Sequence, residues 1–236
     1  MRTICAALFL GLQCLVGGAL ASPCLPGTLE DYLLLGSTGC TVDSLLFADF
    51  ALIDAPTGSE PFRAIQITPS SLNTEHGLRF TPADASAGAG TFLDEVIGYT
   101  VTALGAPIVG AHVFLTGPAA SGTGAVTAVD NLCLGGLFSP GGPIGCPTAE
   151  ATLIAVTIDG ASFPSDQTPF GPVAFVHAIT DIGVDGGPDG TASLVAATSH
   201  FFVGALPEPG MAALLLAALA ALLPFTALRL HRPARR

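Results

Sequence analysis

The chain has 236 residues, no Lys, and a formal net charge of −11 at pH 7. Its acids lie between two apolar ends, because residues 22–206 contain 17 acids against two arginines, a formal charge of −15. Phosphate binding needs a basic surface, so this composition excludes nucleic acid as a partner. The middle region is long enough for one domain with a hydrophobic core.

The first 21 residues have the layout of a secretory signal peptide. Arg2 supplies the positive start, residues 4–16 are apolar, and Ala19 and Ala21 are the small residues that signal peptidase reads. We expect a signal helix that directs the chain to the general secretion machinery, with cleavage after Ala21. A lipoprotein signal ending at Cys14 is the alternative, and the bulky residues before that Cys disfavour it.

Four cysteines remain after signal removal: Cys24, Cys40, Cys133 and Cys146. An even number in an exported chain indicates disulfides, and the sequence alone permits three connectivities. We favour Cys24 with Cys40 and Cys133 with Cys146, because each pair brackets a short segment that contains turn-forming Gly. No C-x-x-C spacing occurs, which disfavours a metal site at the cysteines.

The middle region predicts many short strands separated by Gly and Pro. Residues 64–68, 97–101 and 154–158 alternate apolar with polar or small side chains, the period of a half-buried strand. Further candidates are residues 112–115, 125–129, 173–179 and 193–203. Only residues 28–34 predict a helix, with Thr28 as its N-cap. The pattern predicts an all-β, antiparallel β-sandwich, with jelly-roll and immunoglobulin-like topology both open.

No motif whose spacing implies a catalytic mechanism occurs in the sequence. The ectodomain histidines, His76, His112, His177 and His200, show no metal-ligand spacing. Asp94 and Glu95 are adjacent, and neighbours on a strand point to opposite faces. We therefore expect a protein that is not an enzyme and that needs no cofactor, with a secreted hydrolase as the alternative.

One segment could hold Ca²⁺. Asp181, Asp185 and Asp189 lie on a glycine-rich stretch, and carboxylate and carbonyl oxygens are the ligands that Ca²⁺ prefers. The same Asp-Gly and Gly-Pro pairs are typical of a hairpin turn, and the spacing is not that of an EF-hand. A structural turn is the favoured interpretation, and a calcium-dependent binding module is the alternative.

The C-terminal part, residues 206–236, has three features in order. Pro207, Glu208 and Pro209 form a short rigid motif, and residues 211–228 form an uncharged run dominated by Ala and Leu. A run of about 18 apolar residues can span a bilayer as a helix. Four arginines follow the run: Arg229, Arg232, Arg235 and Arg236. Basic flanks stay in the cytoplasm, so the bulk of the chain is expected outside.

These features resemble the PEP-CTERM proteins of Gram-negative-type bacteria. In that family the tail is a sorting signal for exosortase, an integral-membrane enzyme, so the resemblance implies that Pro207, Glu208 and Pro209 are its recognition residues. The motif also approaches a sortase signal, but Pro209 stands where that signal has Thr, which makes a Gram-positive sortase the weaker alternative. More loosely, residues 29–50 and 180–202 resemble a recurrent ectodomain of these sorted proteins that has no assigned activity.

The sequence thus predicts three parts: a signal peptide (1–21), an extracellular β-sandwich (22–205) and a sorting signal (206–236) with a transmembrane helix. The resemblance implies a brief stay in the inner membrane and then delivery to the cell surface or the extracellular matrix. By analogy with the family, an exopolysaccharide or biofilm matrix is the expected partner, with a structural or adhesive role.

Overall fold

The computed structural model of the protein describes residues 21–53, 58, 61–62, 64–139, 142, 145–159 and 161–204. Within this part of the chain, no helix has the length and apolar character needed to cross a membrane. The predicted membrane helix (211–228), the sorting motif and the terminal arginines lie outside the described residues. So does the predicted signal peptide, apart from Ala21.

Strands dominate the described residues. They are β1 (Ser22–Pro23), β2 (Gly27–Thr28), β3 (Cys40–Val42), β4 (Leu45–Ile53), β5 (Ile65–Leu72), β6 (Glu75–Pro82), β7 (Ser86–Ala87), β8 (Phe92–Ala103), β9 (Ile108–Thr116), β10 (Ala119–Ser121), β11 (Ala125–Leu134), β12 (Ala149–Ile158), β13 (Ala161–Phe163), β14 (Ser165–Val173), β15 (Phe175–Asp185), β16 (Thr191–Ser193) and β17 (Ala196–Val203). A short helix, α1 (Leu29–Leu33), and a 3₁₀ turn, Gly36–Thr38, precede β3.

The strands form two large sheets and one small one. The larger sheet has eight strands in the order β1-β3-β4-β8-β15-β11-β12-β13, and the second has six in the order β14-β9-β17-β6-β5-β2. A three-stranded sheet, β10-β16-β7, is separate from them in its strand pairing and packs next to β11 and β15 of the larger sheet. All pairings are antiparallel except the short β1–β3 pair. The prediction of a mostly β, antiparallel fold is therefore confirmed.

The core lies between the two large sheets. Tyr99 on β8 of the larger sheet is 6.1 Å, centroid to centroid, from Phe80 on β6 of the smaller sheet. Phe47 on β4 likewise lies 6.3 Å from Phe201 on β17. All four rings are fully buried. Because alternate residues of a strand point to opposite faces, the odd positions of β8 and the even positions of β6 supply this core.

Helix α1 forms where Thr28 was expected to cap it. The Asp31 backbone N–H donates to Thr28 Oγ1 at 3.2 Å, and the Thr28 backbone N–H donates to Asp31 Oδ2 at 2.8 Å. This reciprocal capping box satisfies two backbone donors that a helix start leaves free. Tyr32 on the helix is buried and packs edge-on against Phe50 at 5.2 Å between ring centroids.

Both predicted disulfides are present. Cys24 is bonded to Cys40, across a separation of 16 residues, and Cys133 is bonded to Cys146, across 13 residues. The first bond links the N-terminal segment to β3. The second closes the segment after β11, where Phe138 packs over Val96 and Ile179 on the outer face of the larger sheet.

Candidate functional site

A cluster of two histidines and a glutamate lies on the outer face of the six-stranded sheet. His112 on β9 is directly opposite His200 on β17, and Glu75 on β6 is opposite Phe202, two residues further along β17. Glu75 Oε2 is 3.0 Å from His112 Nδ1 and 3.3 Å from His200 Nδ1. One carboxylate oxygen therefore meets an imidazole nitrogen from each of two neighbouring strands.

A glycine makes room for this cluster. Gly77 is opposite His200 in the β6–β17 register, and a Cβ there would lie 2.7 Å from Cδ2 of the His200 ring and 1.9 Å from the Ser199 carbonyl oxygen. The missing side chain lets the imidazole lie across β6 and reach Ser70 of the next strand, β5, where Ser70 Oγ is 2.9 Å from His200 Nε2. Both nitrogens of His200 therefore have a polar partner.

Aromatic rings enclose the cluster. The Phe114 ring lies 5.1 Å from the His112 ring and 5.4 Å from the His200 ring, and Phe202 stacks parallel to His112 at 6.4 Å. The His200 side chain is only 1% exposed, whereas those of His112 and Glu75 are each 20% exposed. The cluster thus opens to solvent on the side of His112 and Glu75.

The surroundings change the pKa values of two members. Burial is the main effect on His200 and lowers its pKa, against the opposing pull of Glu75, so the imidazole is held neutral at pH 7. For Glu75, burial disfavours the charged form, but hydrogen bonds from His112 and His200 outweigh it and lower the pKa. The cluster therefore combines a carboxylate with a neutral imidazole.

A second polar cluster lies on the outer face of the larger sheet. Asp94 on β8 is hydrogen-bonded to Asp181 on β15, and one Asp94 oxygen, Oδ2, is buried with no hydrogen-bond partner among the described residues. Burial, together with the neighbouring carboxylate of Asp181, raises the pKa of Asp94 to about 7. Burial also raises the pKa of Asp181. The pair therefore shares a proton near neutral pH.

A third polar group bridges the two sheets inside the core. Asp130 on β11 accepts hydrogen bonds from Thr180 Oγ1 at 2.6 Å and from Ser199 Oγ of the opposite sheet. Tyr99 Oη is 3.0 Å from the same Thr180 hydroxyl. Burial raises the pKa of Asp130 to about 6, although both hydroxyl donors favour the ionised form. Because no solvent reaches it, this network ties the sheets together and offers no binding surface.

The residues predicted to hold Ca²⁺ are not brought together. Asp181 and Asp185 are four residues apart on extended β15, a separation of about 13 Å. Asp185 Oδ1 accepts from the Gly187 backbone N–H at 2.7 Å, and Asp189 Oδ1 accepts from Thr123 Oγ1 at 2.6 Å. These are the hydrogen bonds of a structural turn, the interpretation that the sequence favoured. The three carboxylates therefore do not form the calcium site that was the alternative.

Two other histidines have structural partners. His177 Nδ1 accepts from the Phe138 backbone N–H at 3.1 Å, beneath the segment closed by the second disulfide. His76 Nδ1 is 3.2 Å from Ser71 Oγ, and its Nε2 is 3.7 Å from Asp43. Among the described residues, Glu75, His112 and His200 are the one set of three whose ligand atoms all lie within 4.8 Å of one another.

Sequence reasoning missed this set. His112 and His200 both lie in segments that were predicted as strands, but Glu75 is 37 residues from His112 and 125 from His200. Local spacing therefore gives no sign of the cluster. The signal that would have found it is the pairing of β9 with β17 and of β17 with β6.

No protein-family model matches the chain, and comparison with curated proteins gives no match. Among solved structures, the chain is similar to a crystal structure described as the enzymatically active domain of bacteriophage CBA120 tailspike protein 4. The match covers 63% of this chain and 19% of the tailspike chain, with 13% sequence identity and a TM-score of 0.24.

This comparison corrects one expectation. The prediction that the chain is not an enzyme is contradicted by the description of the matched domain as enzymatically active, and we withdraw it. A TM-score of 0.24 is too low to assign a shared fold, so nothing of the tailspike's activity passes to this chain.

Proposed function

We propose that the protein is an exported surface or extracellular-matrix protein, processed by exosortase at its C-terminal signal, with a structural or adhesive role in an exopolysaccharide matrix. The observation that carries the proposal is the pair of disulfides, because such bonds form and persist in oxidising, extracytoplasmic compartments. A signal peptide at residues 1–21 would deliver the chain there through the secretion machinery and signal peptidase.

The C-terminal sequence supports the processing step. In this proposal, residues 211–228 hold the chain in the inner membrane for a time, and the terminal arginines keep their end in the cytoplasm. Exosortase then recognises Pro207, Glu208 and Pro209 and releases the domain to the cell surface. The packed sheets suit this location, since many cell-surface domains are β-sandwiches. We propose that this domain is a β-sandwich with either jelly-roll or immunoglobulin-like topology.

Charge supports the proposed matrix location. Within residues 22–206 the acids outnumber the arginines by 17 to two, so the domain repels anionic membrane surfaces and stays soluble once released. Neutral polysaccharide is then the matrix component that this surface suits best.

Mass spectrometry of the mature protein from its native host tests the processing. We expect residues 211–236 to be lost in cells with exosortase and retained in an exosortase deletion strain. A matched variant, Pro209→Thr, converts the motif toward the sortase pattern and should also keep the tail. An intact tail in both strains would contradict exosortase processing and leave a single-span membrane anchor.

A further inference from the structure

We infer that Glu75, His112 and His200 form a binding site for a divalent transition-metal ion such as Zn²⁺, with three protein ligands and a fourth position open to solvent. The three side chains project from adjacent strands of one sheet. Strands hold ligands more rigidly than loops do, so the set is preorganised.

The geometry fits a small ion. Imidazole and carboxylate ligands bind Zn²⁺ at about 2.0–2.2 Å, which places tetrahedral ligand atoms about 3.3–3.5 Å apart. The two separations from Glu75 Oε2 to the histidine Nδ1 atoms, 3.0 and 3.3 Å, need only small side-chain shifts to reach that spacing. Two histidines and a glutamate are also a known zinc ligand set that leaves one position open.

The second partner of His200 fits the same interpretation. A metal-bound imidazole usually donates its other ring N–H to a nearby oxygen, which fixes the tautomer and the ring direction. Here His200 Nε2 is 2.9 Å from Ser70 Oγ. If an ion replaces the hydrogen bond between His200 Nδ1 and Glu75, the tautomer protonated at Nε2 would donate to Ser70 while Nδ1 binds the ion. Gly77 beneath the ring keeps this orientation open.

The choice of ion follows from the donor atoms. Imidazole nitrogen suits Zn²⁺, Cu²⁺ and Ni²⁺, whereas Ca²⁺ and Mg²⁺ take oxygen ligands. The acidic surface of the chain attracts divalent cations in general, so selectivity for the transition metal must come from the two histidines. Comparing the binding of Zn²⁺ with that of Ca²⁺ therefore tests whether the two histidines are ligands.

Metal titration of the full chain tests the inference. The oxidised protein is purified in mild detergent without a polyhistidine tag, stripped with EDTA, and titrated with ZnCl₂ and, for its visible absorption, CoCl₂. We expect one ion per chain, a Co²⁺ absorption band typical of nitrogen and oxygen ligands in a tetrahedral field, and a rise in melting temperature with Zn²⁺ that equimolar Ca²⁺ does not give.

Three variants locate the site. His112→Gln removes a partly exposed ligand and should weaken Zn²⁺ binding by at least roughly 100-fold, while Ser70→Ala should weaken it by about tenfold. His76→Gln, which changes a histidine next to Glu75 but outside the cluster, is the matched control and should bind as the wild type does. Melting curves in EDTA confirm that each variant is folded.

Several outcomes would overturn the site. They are a melting temperature and Co²⁺ spectrum that do not respond to metal, an affinity that His112→Gln leaves unchanged, or a loss of binding in His76→Gln equal to that in His112→Gln. Any of these results would mean that the carboxylate and the two imidazoles are only hydrogen-bonded to one another and do not bind a metal ion.

Discussion

At the scale of single residues, the buried carboxylates set how stability depends on pH. Burial raises the pKa of Asp94 to about 7 and that of Asp130 to about 6, whereas both groups titrate near 3.8 when unfolded. Between these values the folded state holds protons that the unfolded chain has released. The free energy of unfolding is therefore expected to be highest near pH 4, to fall as the pH rises to about 7, and to level off above that.

The variant Asp94→Asn isolates this effect. It removes an ionisable group that is 1% exposed, and it should raise the free energy of unfolding at pH 8 by roughly 2 kcal/mol, with little change at pH 4. Urea denaturation across this pH range measures both values. Asp159→Asn removes the same charge from an exposed turn and should leave the pH profile unchanged. If the free energy of unfolding depended on pH as steeply in Asp94→Asn as in the wild type, the raised pKa of Asp94 would be contradicted.

The cluster of Glu75, His112 and His200 shows what a single sequence cannot predict. His112 and His200 could each be placed on a strand, because apolar and polar residues alternate around them. Their meeting depends on β9 and β17 pairing so that the two residues are directly opposite. Pairing register is a long-range property of the sheet, and no local pattern of one strand specifies its partner.

At the scale of elements, the second disulfide supports a segment that covers the larger sheet. Cys133 and Cys146 close 13 residues, and Phe138 within them packs on Val96 and Ile179. The double variant Cys133→Ala/Cys146→Ala should lower the free energy of unfolding by roughly 2–3 kcal/mol, since loop closure in the unfolded chain is lost. Chemical denaturation measures the loss.

The other disulfide provides the matched comparison. Cys24 and Cys40 are 16 residues apart, so loop closure predicts nearly the same loss for the variant Cys24→Ala/Cys40→Ala. A larger loss from one pair would report the packing that its segment contributes. No loss from either pair would show that the bonds add nothing to stability.

Elements with local signals were predicted well. Thr28 and Asp31 supply the capping box of α1, and both disulfide pairs follow from short segments with turn residues. Strand β8 (Phe92–Ala103) follows from alternation, though it is longer than the alternation alone predicts. Strand β12 was located by its alternation but with the wrong face inward, because Ile154 and Ile158 are exposed whereas Leu153 and Ala155 are buried. The strand order was out of reach, because successive segments such as β8 and β9 lie in different sheets.

At the scale of the whole molecule, nearly all the charged side chains between the two apolar ends are acidic, because residues 22–206 contain 17 acids and two arginines. Arg79 is the sole arginine among the described residues, and the ion pairs described there join histidines to acids. Salt therefore has few favourable pairs to weaken, and a large repulsion between carboxylates to screen. Such repulsion lowers the stability of the folded state relative to the expanded chain.

Raising the ionic strength should accordingly stabilise the protein. The Debye length shortens from about 30 Å at 0.01 M salt to about 10 Å at 0.1 M, a change that screens repulsion across the whole domain. We expect the free energy of unfolding at pH 8 to rise by about 1 kcal/mol between 0.01 and 0.2 M NaCl. At pH 4, where many carboxylates are protonated, the rise should be much smaller. KCl should act as NaCl does, because screening depends on ionic strength alone. A fall in stability with added salt would mean that attractive pairs outweigh the repulsion, against the composition of the chain.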